Sequence, residues 1–451
     1  MILKNAQTNW KFLLIVAVFA GFAGIGILEF STWQSVPQVL PFTLKKAKFN
    51  QPKVVDGLVL IQNLDKKMIM KKVRQGKKFL EQMEDKNYYG FHKYYYAEED
   101  RFEARLHSVY SASIVYTFLY YYDLTKDKEI LNRLSDWGDF LIFMQDKNKE
   151  DKSFGAFHYS FFLEHKKKEK KFPVGTSALN IFTLLRLYDL TQETRYLESA
   201  RLAGNWLVTM QNPDGTMKPY MRYSDGKWVY GKKESLLYEG QVLSALSKLY
   251  QATNDERYYN SAKKIAQHFA KKYEKENGYI QGEYRKKNPI SNSWVVMSLM
   301  DFYKVEKDAS ERARYQDIIF ELSGKILANQ RDDPDDLFSY GSWAGTYSTS
   351  GTGWISEVMT QTYLFCKQQS RGDCDKYKQA VIKAIRWLIQ HTYSKENAFL
   401  VKNPERATGG IFWNKSNKYV RTDSVCHALN SYILIINDLE DKLLLSVPTG
   451  P

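Results

Sequence analysis

A few acids and bases in this chain occupy positions where burial would be costly. Near the C-terminus, "KYVRTDSVCHALNSYILIIN" opens with Arg421, Asp423 and His427 and then turns apolar. Isolated buried charges cost several kcal/mol, so such groups are paired, exposed at a helix start, or used in chemistry. Asp423 can be read as a simple helix cap. Glu239 in "LLYEGQ" and Glu357 in "GTGWISE" lie deeper in apolar segments, where capping explains them less well. Glycoside hydrolysis needs two carboxyl groups flanking one bond, one protonated and one ionised. The pool is Glu239, Glu357 and Asp423, with Asp100 and Glu103 in reserve. Burial beside Tyr238 or Trp354 would raise one carboxyl into the range of an acid. Glu239, between Tyr238 and Gly240, is the predicted acid, and Asp423 or Glu357 the base.

Proton abstraction at C5 of a uronic acid calls instead for a base, a tyrosine donor and a cation. His427, Arg105 and the segment "NYYGFHKYYYAEED", with Tyr95 at its centre, offer these. Arg421 and Arg105 suit a substrate carboxylate, while Trp294, Trp343 and Trp354 suit stacking on sugar faces. Each residue also has a plain structural reading as salt bridge, cap or core ring.

A repeat positions these groups. The stretches "LYYYDLTKDKEILNRLSDWGDFLIFMQ" and "LRLYDLTQETRYLESARLAGNWLVTMQ" share one pattern with "LSKLYQATNDERYYNSAKKIAQHFAKKY" and "CKQQSRGDCDKYKQAVIKAIRWLIQHT". Each is an apolar helix, a short polar turn and an amphipathic helix. Six segments, from "SASIVYTFLYYY" to "SVCHALNSYILII", are apolar on most faces and should be enclosed. The helices between them carry Lys and Glu on one side and should be peripheral, with 64–84 as a sixth outer partner. Six pairs predict an all-α (α/α)6 toroid with small β-hairpin insertions, an open solenoid being the alternative. Connections from outer to inner helices are long and rich in Gly, Asn, Asp and aromatics, so function is expected on the face where the inner helices begin.

The closing "RTDSVCHALNSYILI" and the stretch "LLYEGQVLSALSKLYQATNDERYYNSAKK" resemble the six-hairpin carbohydrate-active superfamily, and within it the helical C-terminal domain of glucuronyl C5-epimerases. Gly240, Gln241, Ser244, Leu246, Tyr250 and Asp255 carry the resemblance, with Arg421, Asp423, His427 and Asn430. Gly240 and Gln241 stand in inverted order, and no β-rich domain precedes residue 63. The resemblance implies the toroid fold and a carbohydrate substrate.

Composition adds bounds. Aromatics at 15%, with 32 Tyr and 10 Trp, fit a sugar-binding surface or a large helical core. The net charge of +14 comes without any nucleic-acid module, so nucleic acid is not an expected partner; a solvated surface is the first reading of that charge, and an anionic partner, either an acidic polysaccharide or lipid headgroups, is the second. Residues 12–28, "FLLIVAVFAGFAGIGIL", follow Lys4 and Lys11 and read as a signal anchor or a cleavable signal peptide. The expected organisation is a cytoplasmic tip and membrane anchor over 1–30, a linker over 31–62, the toroid over 63–440 and a tail over 441–451. That places the toroid on the non-cytoplasmic side, facing a bacterial periplasm or at the cell surface. Cys366 and Cys374 suit a disulfide and Cys426 a buried thiol. No ligand set of zinc-site spacing accompanies Cys426 and His427, so no metal or other cofactor is expected. The leading expectation is a membrane-anchored hydrolase of an envelope or extracellular polysaccharide. A uronate epimerase or lyase, or a non-catalytic glycan-binding toroid, are the alternatives.

Overall fold

The computed structural model describes residues 54–444, apart from 62, 277–278, 281–288, 337, 347 and 441. The expected anchor over 12–28, most of the linker and the end of the tail lie outside these residues. Among the described residues no helix is long and apolar enough to cross a membrane.

Among the described residues twelve long helices alternate between two layers. The outer layer holds α1 (Lys66–Gln82), α3 (Lys128–Phe143), α5 (Thr194–Thr209), α7 (Glu256–Glu276), α9 (Ala309–Leu327) and α11 (Asp375–Gln390). The inner layer holds α2 (Ser108–Thr125), α4 (Val174–Thr191), α6 (Leu236–Thr253), α8 (Pro289–Tyr303), α10 (Thr349–Gln368) and α12 (Thr422–Ile435). Each inner helix packs on the next, and α12 packs back on α2, so the ring is closed. Helix α1 lies against α12 and supplies the sixth outer partner. The antiparallel pairing of Asn63–Asp65 with Lys442–Leu444 joins the two ends of the toroid.

The division into layers follows from side-chain patterning. Inner helices are buried all round: α8 buries Ser291, Asn292, Ser293, Trp294, Val295 and Val296 in succession. Outer helices bury a single stripe, as α5 does with Tyr196, Ala200, Ala203 and Leu207. Cys366 and Cys374 form a disulfide between the end of α10 and the start of α11. Cys426 is buried, and burial raises its thiol well above the usual range.

Two-residue links join α2 to α3, α4 to α5 and α6 to α7. Such tight reversals need a left-handed residue after the inner helix, and Lys126, Gln192 and Asn254 take it at φ 57°, 60° and 55°. Any residue with a Cβ is crowded there by the following carbonyl; asparagine enters the region more readily than glutamine because its short amide can bond locally. Gln192→Gly is therefore expected to stabilise the protein by up to about 1 kcal/mol, read as a higher urea midpoint at unchanged slope.

Long connections gather at the end where the inner helices begin. They carry short strands: Tyr94–Tyr96 pairs with Arg101–Phe102 and with Val420–Arg421. Arg105–His107 pairs with Ser160–Phe162, and Lys171–Pro173 joins the hairpin of Tyr220–Ser224 and Lys227–Tyr230.

Candidate functional site

A cavity of about 1000 Å³ follows the toroid axis. Its walls are one stripe from each inner helix at helical spacing, as in Trp354, Glu357, Gln361, Leu364 and Gln368 of α10. On α8, α10 and α12 the stripes run from the first turn (Ile290, Gly351, Asp423) to the last (Asp301, Gln368, Leu434). The far end holds Asp301, paired with Lys248 at 2.8 Å and Lys304 at 3.2 Å.

Polar groups concentrate in the half nearer the mouth. Arg421 closes a fork on Asp423, with Nε donating to Oδ1 at 2.6 Å and Nη2 to Oδ2 at 2.5 Å. Ser350 donates to Asp423 Oδ2 at 2.9 Å and accepts from Arg421 Nη2 at 2.9 Å. The guanidinium lies 4.2 Å from the centroid of Trp413. Burial pushes the Asp423 carboxyl up, but the Arg421 charge and these hydrogen bonds outweigh it, so its pKa is lowered. The same pairing raises the Arg421 guanidinium against the opposing effect of burial. Asp423 is thus held ionised, and it is not the N-cap of α12, a position Arg421 takes.

One turn deeper on the same face of α12 stands His427, about 6 Å further along the axis by helix geometry. Its Nδ1 lies 2.8 Å from Glu357 Oε2. Asn430 Nδ2 donates to Glu357 Oε1 at 3.0 Å, fixing the carboxylate from both sides. Glu357 is 4% exposed and sits on the cavity wall. Trp354 meets the His427 ring edge-on at 5.1 Å and stacks on Trp294, with centroids 3.8 Å apart and planes at 17°. Tyr238 and Gln241 face them from α6.

Two glycines make this closeness possible. A Cβ on Gly175 would lie 2.0 Å from Gln241 Oε1 and 2.5 Å from the Tyr238 ring. A Cβ on Gly240 would meet the Trp294 carbonyl oxygen at 2.8 Å, so only glycine lets α6 approach α8 this closely.

The structure thus brings Glu357, Asp423, His427, Arg421, Tyr238, Trp294 and Trp354 to one cavity. It does not bring the others there. Glu239, the predicted acid, is 0% exposed and off the cavity wall; its Oε1 accepts from Met217 N at 3.1 Å. Tyr238 and Gln241 share the axial stripe, and a helix turns about 100° per residue, so Glu239 points behind the wall. Trp343 is fully buried in the loop before α10 and packs as a core ring. Tyr95 alternates with the half-buried Tyr94 and Tyr96 on a strand; it turns inward and donates to Asp100 at 2.8 Å. Asp100 is further held by Arg406 and Asn403. Arg105 is bound by Glu103 at 2.6 Å, and Glu103 reaches His107 at 3.2 Å, so this trio is a local ion-pair network beside the site.

Several wall residues were not singled out from the sequence. Tyr110, Tyr116 and Tyr120 lie in an enclosed helix and read there as ordinary core spacing, while Trp413 lies in a long loop. The one available signal was the polar Ser113 within the stripe 110, 113, 116 and 120.

The family model of glycosyl hydrolase family 76 matches residues 176–288, which span α4 to the start of α8. Among solved structures the chain is similar to a cellobiose 2-epimerase from Bacillus thermoamylovorans, at 12% identity over 83% of this chain and 99% of that one, with a TM-score of 0.65. It is similar to an unsaturated glucuronyl hydrolase specific for heparin, at 12% identity over 83% and 98%, with a TM-score of 0.57. It is also similar to an α-1,6-mannanase from Salegentibacter sp. in complex with α-1,6-mannotriose, at 11% identity over 82% and 99%, with a TM-score of 0.57. By its fold the chain is a six-hairpin (α/α)6 toroid, and it shares with carbohydrate-active enzymes both that architecture and a segment like glycosyl hydrolase family 76.

Proposed function

We propose that this carbohydrate-active enzyme cleaves a glycosidic bond of a saccharide held in the axial cavity, with Glu357 and His427 as the proton-transfer pair and Asp423 as the ionised carboxylate. The observation that carries the reading is the 2.8 Å contact between Glu357 and His427 on the cavity wall, one helical turn below Asp423. In hydrolysis one group protonates the departing glycosidic oxygen while an ionised carboxylate takes a proton from the attacking water or attacks the sugar itself. Asp423 meets the second requirement, because its salt bridge keeps it charged. The Trp294–Trp354 stack and Tyr238 offer ring surface to sugar C–H faces.

A second reading is favoured by two observations. With Nδ1 engaged by Glu357, His427 Nε2 is the ring atom left to take a proton from carbon, as an epimerase or lyase requires. In the inactive variant of the similar mannanase two consecutive aspartates are asparagines. The consecutive aspartates of this chain, Asp332–Asp333 and Asp335–Asp336, stand before α10 and off the cavity wall.

Product analysis separates the two. Incubation of the full chain with oligosaccharides in deuterated water is expected to generate new reducing ends, lost in Glu357→Gln. Deuterium at a sugar carbon without new reducing ends, or absorbance from a new double bond, would replace hydrolysis by the second reading. The apolar run over 12–28 supports a membrane-anchored location with the toroid on the non-cytoplasmic side, checked by protease accessibility of the toroid in intact cells.

A further inference from the structure

Charge inside the cavity is internally balanced. Arg421 is taken up by Asp423, and Lys248 and Lys304 by Asp301. Arg105, expected to meet a substrate carboxylate, is taken up by Glu103. Two lysines at the mouth differ. Lys93 holds its ammonium over aromatic faces, 4.7 Å from the Tyr94 centroid and 5.0 Å from that of Tyr110. Lys171 sits 5.3 Å over Tyr159. Tyr110 and Tyr159 line the cavity, so both cations stand on its rim. Neither has a carboxylate within salt-bridge distance among the described residues, and aromatic faces are what each ammonium rests on. The Lys93 charge also reaches the Tyr159 hydroxyl, so both lysines meet at one tyrosine. Lys170 over Tyr223 at 4.9 Å and Lys218 over Tyr230 at 5.2 Å extend the pattern along the neighbouring hairpin.

A cation resting on a ring is held in place without losing its charge, and it turns readily to an anion that arrives beside it. Sugar hydroxyls alone give no reason to keep two unpaired ammonium groups there. We propose that Lys93 and Lys171 form an anion-recognition pair at the cavity mouth, so that the saccharide bears a carboxylate or phosphate on a unit just outside the one held at Glu357. This rests on the saccharide reading above and names its substrate class. Carboxylate and phosphate share the chemistry that an ammonium pair recognises.

The test uses the full chain with Glu357→Gln to stop turnover, and calorimetric titration with three oligosaccharides of equal length. One contains uronate, one is its carboxyl-reduced counterpart, and one carries phosphate. At least one anionic probe is expected to bind about tenfold or more tighter than the neutral one, with the preference shrinking as salt rises. Lys93→Gln with Lys171→Gln should abolish the preference while leaving neutral affinity unchanged, and the paired Lys→Arg variant should restore it. Equal binding of neutral and anionic probes, a preference that survives Lys→Gln, or no binding of any probe overturns the proposal. So does lysine-dependent binding to phosphatidylserine vesicles without discrimination among the glycans, which would assign the rim to a lipid surface. Tight anionic binding by the wild-type chain without new reducing ends would instead overturn the hydrolysis reading and leave the lysine pair standing.

Discussion

Glu357→Gln is expected to lower turnover about 10²- to 10⁴-fold, the usual contribution of positioned proton transfer, while KM and the melting temperature should change little. The substitution keeps the shape of the side chain and its carbonyl acceptor, so Asn430 retains its bond. What disappears is the capacity of this side chain to give or take a proton beside His427. Steady-state kinetics with a thermal melt on the same sample separate chemistry from folding. Glu239→Gln is the informative contrast. Glu239 bonds the Met217 amide behind the cavity wall, so its loss should lower stability and leave kcat near the wild-type value. The reverse pattern, with Glu239 essential and Glu357 dispensable, would remove the catalytic assignment made here.

Arg421→Met should destabilise the protein by about 3–5 kcal/mol, because it strands the buried Asp423 carboxylate without its cation. The double change Arg421→Met with Asp423→Asn should recover much of that loss, since neither charge then remains buried. Urea unfolding of the two variants measures the difference. The pair also predicts a pH dependence. Asp423 has a folded pKa below its unfolded value, so the unfolded chain binds the proton more readily. The stability it contributes is present above the ordinary aspartate value of about 4 and is lost as pH falls through the depressed folded value. In Arg421→Met this acid-side loss should shrink. An unaltered acid limb would mean that other carboxylates dominate acid unfolding.

Much of this architecture was legible in the residues. The helices and their sorting into an enclosed and a peripheral set follow from repeat period and apolar patterning, whereas the closeness of Cys366 and Cys374 in the chain only allowed the disulfide that the structure shows. The gathering of Arg421, Asp423 and His427 toward the mouth follows as well, because they lie at the start of an inner helix, and Glu357 meets them from the third turn of α10. These are local properties: a helix declares its own start, its own stripe and its own neighbours in sequence.

Rotation and pairing were decided elsewhere. An inner helix is apolar on most faces, so its sequence does not mark which stripe meets the axis and which meets the outer layer. On α6 the ring chose the stripe of Tyr238 and Gln241, and Glu239, one residue away, was turned toward the loop at Met217. Strand pairing between Val420–Arg421 and Tyr94–Tyr95 likewise fixed which tyrosine faces inward. Charges followed the same rule. Arg105 and Lys93 are both cations near the mouth, yet Glu103 neutralises one and aromatic faces support the other. The sequence thus determined the ring and the end of it where the long connections and polar groups gather. The closed packing of six helices decided which side chains face the axis, because orientation about a helix is set by the neighbours on every side and by nothing in the helix alone.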